Sequence, residues 1–133
     1  MNYFKYILVV FALLGSTTVF AQSALQPGKL KVEYIENPLG INTDKPRFSW
    51  QLLSNGRNQF QTAYEITVNR DYEVPGPKKI VSWSSGKINS SQSVHIEYQG
   101  SALKPFMHYY WRLRVYDQND VPSEWASGSF ETA

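Results

Sequence analysis

The chain has 133 residues, with 13 lysines and arginines against 11 aspartates and glutamates, and no cysteine. No basic stripe of the kind a nucleic-acid binder carries is evident, and the missing thiols exclude disulfides, a cysteine nucleophile and a thiolate metal site. The length suits one domain.

The first segment reads MNYFKYILVVFALLGSTTVFAQS. Lys5 precedes an apolar run from Tyr6 to Leu14, and Val19-Phe20-Ala21 places small or apolar residues where a signal peptidase cuts. Residues 1–21 therefore read as an export signal, too short and too weakly flanked to stay as a membrane anchor. No cysteine follows the apolar run, which excludes lipid anchoring through an N-terminal cysteine. Cleavage after Ala21 leaves 133 − 21 = 112 residues for the periplasm or the extracellular space. Residues 22–29 then read as a short linker and 30–133 as the folded domain.

The folded domain reads as all β. Leu30, Val32 and Tyr34 alternate with Lys31 and Glu33, so one face is apolar and the other polar. ENPLGINTDKP, with its prolines, glycine and Asn/Asp, is a long loop. Its Leu39 and Ile41 have two readings: apolar anchors against a neighbouring domain, or plugs that fold back on the end of the sandwich. Phe48, Trp50 and Leu52 form the next alternating run. SNGRNQ is a turn, with Asn55-Gly56 suited to positive φ. Tyr64, Ile66 and Val68 make a third run. VPGPKK reads as a break, with Lys78 and Lys79 in a solvated loop. IVSW, an SSG turn, VHIEY, FMHYYWRLRVYD and a last strand near 127–132 complete about seven strands at the spacing of an antiparallel sandwich.

The stretch FMHYYWRLRVYD has two distinct faces. Leu103, Pro105, Met107, Tyr109, Trp111, Leu113 and Val115 occupy every second position and form one apolar face. Tyr110, Arg112, Arg114 and Tyr116 form the other, and a strand turns these two sets to opposite sides. Trp50, Tyr64, Ile66, Tyr109, Trp111, Leu113 and Val115 are the expected core. The spacing Leu-x-Pro-x-x-x-Tyr-x-Trp-x-Leu-x-Val resembles the E–F corner and F strand of fibronectin type III domains. That resemblance implies a buried Tyr109 whose hydroxyl bonds backbone a few residues upstream. SEWAS, Ser123 to Ser127, is similar to half of the Trp-Ser-x-Trp-Ser element of cytokine-receptor fibronectin domains, in which tryptophan inserts between arginines. The outward set has two readings: a structural ladder of Trp125 between Arg112 and Arg114, or a sugar-binding platform of Tyr110, Tyr116 and Trp125.

The segments NPLGINTDKPRFSWQL, QTAYEITV, WSSGKINSSQSVHIEYQG, YYWRLRVYD and SEWASGSFETA occur in that order. Together they resemble the N-terminal fibronectin-like module of bacterial α-L-rhamnosidases of glycoside hydrolase family 78. One departure is Ser84, where that family often carries aspartate. The resemblance implies an immunoglobulin or fibronectin type III-like sandwich beside an inverting hydrolase of terminal α-L-rhamnose. The acid and base of that reaction lie on a downstream helical barrel, which these residues do not include. An inverting glycosidase holds its two carboxyl groups about 6.5–9.5 Å apart. The acids here are scattered over loops and outward positions, and two isolated histidines, His95 and His108, do not suggest a metal site. The chain is therefore read as non-catalytic, with no cofactor, metal or nucleic acid. Its expected partners are the downstream catalytic domain and, on the platform reading, a rhamnose-containing glycan. A free-standing carbohydrate-binding module and a protein-interaction domain are the alternatives.

Overall fold

A computed structural model describes residues 23–73 and 77–133; residues 1–21, which the sequence reads as an export signal, lie outside them. Seven strands are described: β1 (Leu25–Val32), β2 (Arg47–Ser54), β3 (Ala63–Glu73), β4 (Pro77–Ser84), β5 (Ile96–Glu97), β6 (His108–Tyr116) and β7 (Ala126–Glu131). They make two antiparallel sheets, ordered β1-β2-β5 and β4-β3-β6-β7. The inner faces meet as a sandwich, because each strand offers a period-2 apolar stripe that only another sheet can cover.

Trp50, Tyr64, Ile66, Tyr109, Trp111, Leu113 and Val115 are all buried. Phe48 crosses from the facing sheet to lie 4.7 Å from Trp111 between ring centroids, and Tyr109 stacks on Phe130 at 5.1 Å. Gly128 pairs with Trp111 across β6 and β7. A Cβ at Gly128 would meet the indole Nε1 at 2.7 Å, so glycine is what lets the ring lie over β7. The Tyr109 hydroxyl accepts a 2.8 Å bond from the Lys104 amide, five residues upstream. This tyrosine corner ties the loop before β6 to the core. Trp50 donates its indole N–H to Gln61 Oε1 at 3.0 Å. The Gln61 amide then donates to the carbonyls of Ser90 and Gln92, fastening the 88–95 loop.

Several boundaries differ from the sequence reading. β1 begins at Leu25, inside the expected 22–29 linker, and Ser23, Leu25 and Pro27 are buried. Proline is tolerated because β1 is an edge strand, and a bulge between Gly28 and Lys31, with Lys29 at φ 46°, absorbs the irregularity. Tyr34 does not continue the inward stripe; at φ 66° it turns out to solvent. The SNGRNQ segment carries the chain from one sheet to the other, and its positive φ falls on Asn58, not on Asn55 or Gly56. Pro77, Lys78 and Lys79 are not in a loop: their backbone pairs with Asp71–Glu73, and a proline can open an edge strand such as β4. Pro105 is exposed in a turn, not part of the inward face. Ser85, not Ser84, locks the turn after β4, accepting the Ile66 amide at 2.8 Å.

Candidate functional site

The outer face of β6 gathers the polar and aromatic side chains that alternation turned away from the core. The guanidinium carbons of Arg112 and Arg114 each lie 4.5 Å from the Trp125 ring. Arg114 also donates two bonds, 3.0 and 2.8 Å, to Glu65 Oε2 on the neighbouring β3. Pairing of Glu65 with Arg114 across the two strands sets that contact. Tyr116 donates its hydroxyl to the same carboxylate oxygen at 3.3 Å. Its ring is covered by Arg114 and by the Lys87 ammonium, 4.3 Å from the centroid. Lys87 in turn pairs with Asp120.

Tyr116 therefore differs from its expected exposed position. Parity sends it outward, yet it is only 8% exposed, because two cations and a carboxylate close over it. Tyr110 remains exposed, edge-on to His108 at 4.5 Å. His108 Nδ1 lies 3.0 Å from Glu131 Oε1. The Trp125 and Tyr116 rings are thus stacked on cations of the chain itself, while Tyr110 is not among these stacks.

The ends of β6 carry different chemistry. At its C-terminal end Asp117 is buried and takes hydrogen bonds from Ser23 Oγ (2.7 Å) and from the amides of Asn119 (2.8 Å) and Val121 (3.0 Å). Burial alone would raise this carboxyl, but the three bonds outweigh it and hold it below its ordinary range. Nothing in the sequence pairs Ser23 with Asp117; 94 positions separate them. At the other end lie Leu39 and Ile41. Ile41 turns inward against the core, and its backbone bridges β7's end, donating to Glu131 O and accepting from the Ala133 amide. Leu39 stands out, 77% exposed. Of the two loop residues, then, Ile41 alone folds back on the end of the sandwich.

Among the described residues, no three or more His, Asp or Glu side chains gather as metal ligands do. A cleft of about 420 Å³ beside β4 is lined by Trp83, Gln92, His95 and Glu97 among others. Its polar groups are partly spent: Gln92 Nε2 donates to Val94 O, and His95 Nδ1 bonds the Tyr34 hydroxyl at 2.8 Å. Tyr34 is held in turn by the Arg47 guanidinium over its ring, and Arg47 bonds Glu33, pulling that carboxyl below its usual range.

Fold and face together define a β-sandwich module whose conspicuous side chains bind one another. The profile described as "Rha78A-like, N-terminal immunoglobulin domain" matches residues 27–133, and the chain belongs to that family. It is 37% identical over 108 residues to an α-L-rhamnosidase of Streptomyces avermitilis, covering 81% of this chain and 10% of that enzyme. An α-L-rhamnosidase of Alteromonas sp. is 34% identical over 128 residues, covering 93% of this chain and 14% of the enzyme. Among solved structures, the Streptomyces enzyme complexed with L-rhamnose superposes with a TM-score of 0.73 over 83% of this chain and 11% of its own. The enzyme from Dictyoglumus thermophilum, 35% identical, gives 0.71, with 80% of this chain and 12% of its own covered. The chain thus spans little more than a tenth of the relatives it matches. It corresponds to their N-terminal immunoglobulin-like, accessory portion and does not carry their catalytic region.

Proposed function

We propose that this chain serves as the rigid N-terminal buttress of an exported α-L-rhamnosidase, holding a catalytic domain that follows it in the same polypeptide. The observation that carries the reading is the family match over residues 27–133 together with the small share of each relative that it covers. The Arg112–Trp125–Arg114 stack with Glu65, Tyr116 and Lys87 is, on this reading, a structural brace and not a glycan platform. Its stacked contacts are made within the chain, and each cation–π contact contributes about 0.5–1 kcal/mol at an exposed site. Leu39 is the loop residue that reaches toward the catalytic domain, while Ile41 holds the loop's base against the core. Export rests on the N-terminal segment with Lys5, its apolar run and Ala21.

The test is to express the reading frame through and beyond Ala133 and assay both products with an aryl α-L-rhamnoside. The longer product is expected to turn over and residues 22–133 alone to be silent. Turnover by residues 22–133 that vanishes on mutating one of their own acids would refute the reading. Retention of residues 22–133 on rhamnose-bearing polysaccharide, lost in Trp125→Ala without loss of stability, would replace the brace with the platform.

A further inference from the structure

Lys104-Pro105-Phe106-Met107 forms a turn whose third residue, Phe106, has φ 52°. A proline followed by positive φ is a type II requirement that glycine or asparagine ordinarily meets; a bulky side chain there is strained. The mouth of the turn is bridged by the Thr132 hydroxyl, which donates to Lys104 O at 2.6 Å and accepts the Met107 amide at 3.0 Å. The Phe106 amide donates to Ala133 O, and the Ala133 amide donates to Ile41 O. Ala133 is therefore clasped between the Phe106 turn and the Leu39–Ile41 loop. Both presented side chains point to water, Phe106 at 89% exposure and Leu39 at 77%. A concavity of about 200 Å³ at this end is lined by Ile41, Asp44, Leu103, Pro105 and Ala133.

We infer that Phe106 and Leu39 are the two apolar anchors of a docking surface, and that its occupant is the domain continuing from residue 133 in the same polypeptide. The inference rests on the accessory-module reading above and names the surface that reading requires. Relatives run on well beyond the matched tenth, so in them the chain leaves the sandwich where β7 ends. Strain at a surface phenylalanine has no use inside the isolated sandwich, because the ring covers no core residue. An exposed aromatic and an exposed leucine on two loops tied together through Ala133 fit the centre of an interface, where a few such residues carry most of the energy. Phe60 is also exposed, at 56%, but it lies near Gln118 at the opposite end, without positive φ.

The experiment mixes residues 22–133 with the separately expressed polypeptide encoded after Ala133, and measures affinity by calorimetry. Phe106→Asn is expected to do two opposite things. It suits the left-handed backbone, so the isolated chain should melt about 2–6 °C higher. It also removes the anchor, so docking should weaken about 10–100-fold. Leu39→Ser should weaken docking with an unchanged melting temperature, and Phe60→Ser should change neither. If wild type binds and Phe106→Asn and Leu39→Ser bind equally well, the surface is wrong while the accessory-module reading stands. Equal weakening by Phe60→Ser would also overturn it. If wild type does not bind, there is no docking surface. If the following polypeptide has no rhamnosidase activity in the intact protein, the accessory-module reading itself fails.

Discussion

The two ends of the sandwich solve opposite problems. At the Asp117 end a buried carboxylate is met by a hydroxyl and two amides, and the chain's first described residue, Ser23, is drawn in to supply one of them. Polar groups there are spent on one another. At the Ala133 end the backbone is just as well bonded, yet Phe106 and Leu39 are held out in water. A floppy loop can expose apolar groups by accident. A turn bridged by Thr132, with strained φ at its apex, exposes one by construction. The difference is that one end spends its polar groups within the chain, while the other displays two apolar side chains that the docking proposal would cover.

Between the ends lies the core, which sets the scale for everything else. Trp111→Ala should cost about 3–5 kcal/mol, read as a large fall in the denaturant midpoint. It removes a fully buried indole that touches Phe48 and overlies Gly128. A loss below about 1 kcal/mol would mean that the sandwich repacks freely, and neither end could then be called rigid.

Next in size is the Asp117 end. Asp117→Ala leaves Ser23 Oγ and two amides without their acceptor and should cost about 1–3 kcal/mol at pH 7. The effect carries a pH signature. The folded carboxyl titrates below its ordinary value, so its contribution is complete above the unfolded value near pH 4 and is lost as pH falls through the folded one. The gap between wild type and variant should narrow only below about pH 4. A gap that stays constant down to pH 2 would show that the carboxylate's charge is not what holds this end.

Trp125→Ala should cost about 1–2 kcal/mol, since two guanidinium contacts disappear together. Arg114 keeps Glu65, so the loss should be smaller in Arg112→Ala/Trp125→Ala relative to Arg112→Ala alone. Additive losses would mean that the stack contributes shape and no coupling.

Much of the fold is legible in the sequence. Alternation identifies β2, β3 and β6 and their inward residues, because a strand's side chains have only two directions. The corner role of Tyr109 comes from the resemblance to a fibronectin E–F corner, and its bond to the Lys104 amide agrees with it. Alternation fails where backbone irregularity overrides punctuation: Pro27-Gly28 reads as a linker but sits in an edge strand with a bulge, and Pro77 opens β4. Parity gives Tyr116 its side of the sheet but not its cover, which comes from Lys87 in a distant loop. The Ser23–Asp117 and Gln61 contacts join residues whose nearness only the fold creates. Phe106 reads as the first residue of a strand stretch, because nothing in sequence marks a phenylalanine at positive φ.

The smallest expected effect tests the comparison most directly. Leu39→Ser removes an apolar side chain that is already in water and whose loop is held by other bonds. Pro38 O accepts the Glu131 amide, and Ile41 closes onto Glu131 and Ala133. In the isolated chain its stability should change by less than about 0.5 kcal/mol, the range for surface substitutions that break no bond. Thr132→Val is the useful contrast at the same end. It deletes the hydroxyl that bridges the Phe106 turn and leaves the Lys104 carbonyl and Met107 amide to find water, at about 1–2 kcal/mol. Chemical denaturation of the two variants side by side separates display from support. If Leu39→Ser destabilises as much as Thr132→Val, then Leu39 is part of this end's own packing. The end would then be closed like its opposite, and the case for a covering domain would lose its first anchor.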